Sequence, residues 1–262
     1  MFTLAQVRHA IAPWWQAWLD AIYPRMCRVC DKPLPQREPS RPLAEWFCKG
    51  CEEDLATLEP PYCSVCGQPY EGLIEGPFRC GNCADRKFAF EFAVAGYRAE
   101  AGVRELVHKF KYGKDVSLRG ALGDLLQRAL QDPRLRGEDL SGWCLVPVPL
   151  HRRREHEREF NQSWELCRQL AKRTGIPAIQ AMRRTHHTDK QSRLTRAQRL
   201  ENLRGAFAMR RRFKGPASRL LGSKVLLVDD VFTTGATTDA CSRILLREGG
   251  AQKVVVIAVA RG

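Results

Sequence analysis

Two aspartates stand side by side at the end of an apolar run in "KVLLVDDVFTTGATTDACSRIL", residues 224–245. Threonines, a glycine and an alanine follow at once, and a helical pattern begins. Backbone N–H groups and hydroxyls at a helix start make a cradle for phosphate. Thr233, Thr234 and Thr237 supply the hydroxyls. Gly235, beside Ala236, has no Cβ and lets a ligand approach the backbone closely. Carboxylates beside a phosphate are a poor electrostatic choice unless the ligand also offers them a diol or an Mg²⁺ ion. A ribose 5-phosphate has both features, a phosphate at one end and vicinal hydroxyls at the other. A strand-end Asp or a threonine helix cap is ordinary alone. Together, Asp229, Asp230 and the threonines describe one pocket.

Eight of the eleven cysteines fall in four CxxC pairs: Cys27 and Cys30, Cys48 and Cys51, Cys63 and Cys66, Cys80 and Cys83. Seventeen residues separate the first pair from the second, and 13 the third from the fourth. Two cysteines three apart on a tight turn aim both sulfurs at one tetrahedral ion, and a second turn completes the four ligands. Two Cys₄ zinc sites are expected, both structural. Sequential pairing closes the shorter loops, although interleaved pairing meets the spacing too. A disulfide scaffold needs an oxidising compartment, and the sequence shows no export signal. A redox CxxC is normally single and set in a βαβ unit. Cys144, Cys167 and Cys241 read as small buried apolar residues.

The chain of 262 residues carries 43 Lys and Arg against 29 Asp and Glu, a formal charge of +14. Residues 151–214 hold 18 basic and 6 acidic side chains, a local excess of +12. So uneven a distribution points to a surface for a polyanionic partner. The plain alternative is a solvated basic loop. No apolar run reaches 18 residues, so no transmembrane helix is expected. Residues 1–22 read as an amphipathic helix interrupted near Pro13. Packing on the neighbouring domain is the expected role, with membrane-surface attachment through Trp14, Trp15 and Trp18 as the alternative. The start lacks the features of a secretory signal, and a cytoplasmic location is expected.

The elements that position these residues alternate. "FEFAVAGYRA", "WCLVPVPL", "IPAIQAMRR", "KVLLVDD" and "KVVVIAVARG" read as strands. "GVRELVHKFKYG", "LRGALGDLLQRALQD" and "NQSWELCRQLAKRTG" read as helices, the last ended by Gly175. "HRRREHERE" reads as a basic loop, and a long polar stretch from Thr185 to about Gly222 holds a helical piece near "RAQRLENLRG". Alternating strands and helices predict an α/β fold with a mostly parallel sheet. Ligands of such a sheet bind beyond the C-terminal strand ends, where Asp229 and Asp230 lie.

"VLLVDDVFTTGATTDAC" resembles the 5-phosphoribosyl-1-pyrophosphate signature of type I phosphoribosyltransferases. "VPVPLHRRREHEREFNQS", "KQSRLTRAQRLENLRGAF" and the cysteine-rich front narrow the resemblance to the ComF/GntX-type family. It implies a type I phosphoribosyltransferase-like, mostly parallel sheet with flanking helices, preceded by a small double zinc-ribbon domain. The implied divisions are an N-terminal helical segment over 1–22, the double ribbon over 23–86 and the phosphoribosyltransferase-like domain over 87–262. By the same resemblance, Asp229 and Asp230 hold the ribose hydroxyls, and residues Thr233, Thr234, Gly235, Ala236 and Thr237 wrap the 5-phosphate. The turn after "LVPVPL" becomes the pyrophosphate loop, with Arg152, Arg153, Arg154 and Arg158 near it and Arg193 and Arg199 in a basic hood.

The implied cofactors are zinc, at two structural Cys₄ sites, and magnesium with the phosphoribosyl ligand. The implied partners are phosphoribosyl pyrophosphate or a nucleotide, single-stranded DNA and competence helicase machinery. The role expected is DNA uptake in natural competence. The alternative is an active Mg²⁺-dependent phosphoribosyltransferase of nucleotide salvage. Glu159 stands where the family often has glycine, and a glutamate does not take glycine's backbone angles freely. That leaves the loop conformation there open. Lys109, Lys111 and Tyr112 in "HKFKYG" match a family-like segment but have no assigned chemistry.

Overall fold

The computed structural model describes residues 24–35, 38, 40–185, 205–213 and 220–262. The expected N-terminal helix, its tryptophans and the helical piece near "RAQRLENLRG" lie outside these residues, as do Arg193 and Arg199. The chain divides into two compact units, with the boundary between Leu55 and Ala56. That boundary falls between the two cysteine groups, so the second group belongs to the larger unit.

Each unit holds one ribbon, and the two ribbons repeat each other's bonds. In the first, Met26 bridges Pro33, Cys27 N–H donates to the Lys32 carbonyl, and Arg28 N–H donates to the Trp46 carbonyl. In the second, Tyr62 bridges Pro69, Cys63 N–H donates to the Gln68 carbonyl, and Ser64 N–H donates to the Phe78 carbonyl. The residue after each first pair has positive φ, 55° at Asp31 and 66° at Gly67. Short helical turns follow the third cysteine of each group, at Lys49–Glu53 and Gly81–Ala84. The sulfurs group sequentially: Cys27, Cys30, Cys48 and Cys51 in one cluster, Cys63, Cys66, Cys80 and Cys83 in the other. All eleven cysteines are free of disulfide bonds.

The larger unit is built on a parallel sheet of four strands: β1 (Ala93–Arg98), β2 (Trp143–Pro147), β5 (Lys224–Phe232) and β6 (Lys253–Arg261), ordered β1-β6-β5-β2. Strands β3 (Met182–Arg184) and β4 (Phe207–Met209) form a separate antiparallel pair. A central parallel strand is covered on both faces and reads as a continuous apolar run. In β6, Val254 to Ala260 are all buried, and in β5 so are Val225 to Val228. Helices α1 (Ala101–Tyr112), α2 (Arg119–Gln127), α3 (Arg152–Arg158), α4 (Gln162–Thr174) and α5 (Ala236–Arg247) complete the unit. Helix α4 packs on β2, β5 and α2, while α5 packs on β4 and β6. The α/β fold with its parallel sheet and preceding ribbons is therefore as the patterning predicted.

Two local expectations are corrected. "HRRREHERE" is helical over Arg152–Arg158, because His151 Nδ1 accepts from Arg153 N–H and caps the first turn. "IPAIQAMRR" is a strand over Met182–Arg184 alone. Its earlier part, Pro177 to Ile179, lies along β2 instead: Leu145 N–H donates to the Pro177 carbonyl and Ile179 N–H to the Leu145 carbonyl. The opposite outer strand is lined the same way. Arg98 N–H donates to the Ala56 carbonyl, and Leu58 N–H to that of Gly96.

Candidate functional site

Strand β5 carries Asp229 and Asp230 to the C-terminal edge of the sheet. Asp229 Oδ1 accepts from Ser163 Oγ of α4 at 3.2 Å and from Asp230 N–H at 3.0 Å. Asp230 is 6% exposed. Its Oδ1 accepts from Val231 N–H at 2.6 Å and lies 2.7 Å from Lys111 Nζ of α1. Burial, followed by the adjacent Asp230 charge, pushes the Asp229 carboxyl up to about 7.

The chain leaves β5 through Thr233 and Thr234, both exposed. Gly235 then takes φ of 76° and opens α5. A Cβ there would sit 3.0 Å from the Phe232 ring and 3.1 Å from the Phe88 ring, besides the unfavourable φ, so glycine is required. The first turn of α5 is fixed from within and without. Thr238 Oγ1 donates to the Gly235 carbonyl at 3.1 Å, and Asp239 Oδ1 accepts from Ala89 N–H at 2.7 Å.

These elements border a cleft of about 490 Å³. Asp229, Asp230, Thr233 and Thr237 line one side. Arg104, His108, Lys111 and Tyr112 come from α1, Arg154 and Arg158 from α3, and Arg184 from β3. Arg158 donates to Gln162 Oε1 at 3.0 Å and lies over the Tyr112 ring. Burial, then the Arg154 charge, lowers the pKa of Arg184 from its ordinary value. An adjoining cleft of about 390 Å³ contains Arg152, Arg183 and Arg210. Arg153 lines neither cleft; its Nε pairs with Glu157 at 3.1 Å. Of the basic residues expected near the pyrophosphate loop, Arg154 and Arg158 thus share the cleft with the acidic pair.

The cysteine clusters fit a tetrahedral ion. Within each cluster the four sulfurs lie within 4.8 Å of one another. Cys30 and Cys48 sulfurs are 3.7 Å apart, and those of Cys66 and Cys80 are 3.6 Å apart. A tetrahedron with Zn–S bonds of about 2.3 Å has edges near ~3.8 Å.

Residues 18–84 match the family model described as a double zinc ribbon domain. "Competence protein F" of Haemophilus influenzae is 30% identical over 217 residues, covering 82% of this chain and 90% of that protein. "DNA utilization protein YhgH" of Escherichia coli K12 is 30% identical over 231 residues, 87% of this chain and 93% of that one. The chain belongs to the ComF/GntX-type family. A further relative is "Competence protein ComFC" of Bacillus subtilis, at 25% identity over 89% of this chain and 93% of its own. One solved structure, titled as the allosteric regulatory enzyme of purine biosynthesis, aligns with 55% of this chain and 26% of its own. That alignment has 22% identity and a TM-score of 0.35.

Within this ComF/GntX-type chain, the ribbon match spans both cysteine clusters, and these are its two Cys₄ zinc-binding sites. With every position a thiolate, each ion is held for structure and leaves no open coordination position for chemistry. Among the described residues, no helix is long and apolar enough to cross a membrane.

Sequence reasoning missed Lys111, Arg184 and Ser163 as members of the cleft. One signal was available for Lys111. Val103, Leu106, Val107 and Phe110 form the buried face of α1, which leaves Arg104, His108 and Lys111 together on another, at i, i+4 and i+7.

Proposed function

We propose that the cleft binds phosphoribosyl pyrophosphate or a related ribose phosphate, and that the protein acts in DNA uptake through contact with single-stranded DNA. The observation that carries the first half is the acidic pair set beside a helix-opening threonine loop in one cleft. The pair offers acceptors for sugar hydroxyls. Thr233, Thr237 and the N-terminus of α5 offer donors to a phosphate. Arg154, Arg158 and Arg184 supply positive charge for a pyrophosphate group, which would bring Mg²⁺ with it. The names of the relatives support the second half. So does the basic excess of residues 151–214, which suits a phosphodiester backbone.

Calorimetry with phosphoribosyl pyrophosphate, with and without Mg²⁺, tests the site. Asp229→Asn and Asp230→Asn should each weaken binding by ~10-fold or more, since hydrogen bonds to charged groups contribute about 1.5–3 kcal/mol. Unchanged affinity in both variants would end this reading. Single-stranded DNA binding across salt concentrations tests the other half. Replacing Arg152, Arg153 and Arg154 together should flatten the salt slope. Pyrophosphate release with one of a panel of nucleobases would instead establish the salvage transferase.

A further inference from the structure

We propose that Lys111 is the resident cation of the acidic pair, and that it makes Asp229 and Asp230 a receptor for a sugar diol which needs no metal ion. The inference rests on the ribose-phosphate reading above and specifies how that site works. Two adjacent carboxylates at a strand end, Asp230 buried and Asp229 partly so, repel each other and need a counter-charge. A divalent cation is the common answer. Here Lys111 Nζ sits 2.7 Å from Asp230 Oδ1 and supplies that charge from within the fold. Its position is imposed, because the neighbouring Val107 and Phe110 anchor α1 in the core.

The hydrogen bonds divide each carboxylate. Asp230 Oδ1 is engaged by Lys111 and Val231 N–H. Asp229 Oδ1 is engaged by Ser163 Oγ and Asp230 N–H. Among the described residues, neither Oδ2 receives a bond. One acceptor therefore remains on each aspartate, and a vicinal diol presents two donors. A 2-deoxy sugar presents one fewer, which leaves one carboxylate oxygen without the sugar's hydrogen bond. Magnesium at the pair would meet the charge of the Lys111 ammonium, which already holds Asp230. Any Mg²⁺ is then held by the pyrophosphate group. Lys111 is a positioning residue, acting through Asp230.

The test is calorimetry on the zinc-loaded full chain, in buffer freed of Mg²⁺ by chelating resin rather than by a soluble chelator. Ribose 5-phosphate should bind the wild type with equal affinity with and without Mg²⁺. 2-Deoxyribose 5-phosphate should bind ~10-fold or more weakly. Lys111→Met should lose ~10-fold or more without Mg²⁺ and regain most of it when Mg²⁺ is added. Lys111→Arg should keep metal-independent binding. A loss in Lys111→Met that Mg²⁺ does not relieve, or Mg²⁺-dependent binding in the wild type, would overturn the proposal.

A titration with Mn²⁺ alone, followed by electron paramagnetic resonance, needs no sugar. Lys111→Met should gain a Mn²⁺ site that the added change Asp230→Asn removes, and the wild type should lack it. Equal Mn²⁺ binding in wild type and variant would refute the role of the lysine. If the Mn²⁺ result holds while no ribose 5-phosphate binds, the cation role stands and the ribose-phosphate reading fails.

Discussion

Arg261, the last residue of β6, donates from Nε to the carbonyl of Cys66, 3.0 Å away. The same guanidinium reaches Gln68 Oε1 at 2.6 Å and the Phe232 carbonyl at 3.2 Å. Phe232 ends β5 and immediately precedes Thr233. One buried cation, 7% exposed, therefore ties the second zinc ribbon to the entrance of the threonine loop.

Removing that cation should be costly. Arg261→Met leaves the Cys66 carbonyl without its donor and the Phe232 carbonyl with Gly262 N–H alone, and a loss of about 1–3 kcal/mol is expected. Thermal unfolding measures it. Release of zinc to a chromogenic chelator should also quicken several-fold. A variant as stable as the wild type would show that water replaces the guanidinium at no cost.

The two ribbons should respond unequally to loss of a ligand. In the second, the Ser64, Val65 and Cys66 carbonyls accept from Arg134, Ala93 and Arg261, all in the larger unit. Cys63→Ser should thus lower the unfolding temperature of the α/β body. Cys27→Ser should act within the smaller unit and leave the cooperative unfolding of the larger one in place. Differential scanning calorimetry on the full chain, with zinc content by mass spectrometry, separates the two. Equal effects would show that the two units unfold together.

Asp229 predicts a pH dependence. Its folded value is raised to about 7, mainly by burial and then by Asp230. An unfolded aspartate titrates near ~3.9. Between these values the folded chain binds more protons than the unfolded one, so this group makes stability fall as pH rises from about 4 to about 7. Above that window the penalty is constant. Asp229→Asn removes it, so the variant should gain on the wild type as pH rises from about 4 to about 7 and hold that gain above. Urea unfolding of both proteins at each pH gives the difference, which cancels the shared titration of the zinc ligands. A difference independent of pH would place the Asp229 value near an ordinary carboxylate.

Glu159 settles the open loop conformation. It takes the left-handed geometry a glycine would take, φ 69°, at the C-terminus of α3. Its carboxylate lies 2.8 Å from Lys114 Nζ. Left-handed backbone costs a side chain about 1–2 kcal/mol, against up to ~1 kcal/mol for an exposed ion pair and a similar entropic cost of glycine. Glu159→Gly should therefore change stability by less than about 1 kcal/mol, while the β-branched Glu159→Val should lose more than ~1 kcal/mol. Denaturant midpoints decide it.

What could be read from the residues follows the range of the forces involved. The β6 run "KVVVIAVAR" announces a strand buried on both faces, and the spacing of Cys63, Cys66, Cys80 and Cys83 announces a metal. The acidic pair and threonine loop are contiguous, so they could be read as one pocket. Helix α3 was not legible, since none of its residues is buried and its apolar period is missing. The contact of Lys111 with Asp230 joins segments far apart in the chain, and no local pattern encodes it. Strand β4 is three residues long and lies within a basic stretch, too short for alternation to register.

The lined margins of the parallel sheet carry one last consequence. The backbone at Ala56 and Leu58 engages β1, and that at Pro177 and Ile179 engages β2. A bare margin would template the addition of a foreign strand and, from there, fibrous aggregation. With its outer ladders engaged by its own chain, the parallel sheet is closed to strand addition at the margins these segments line.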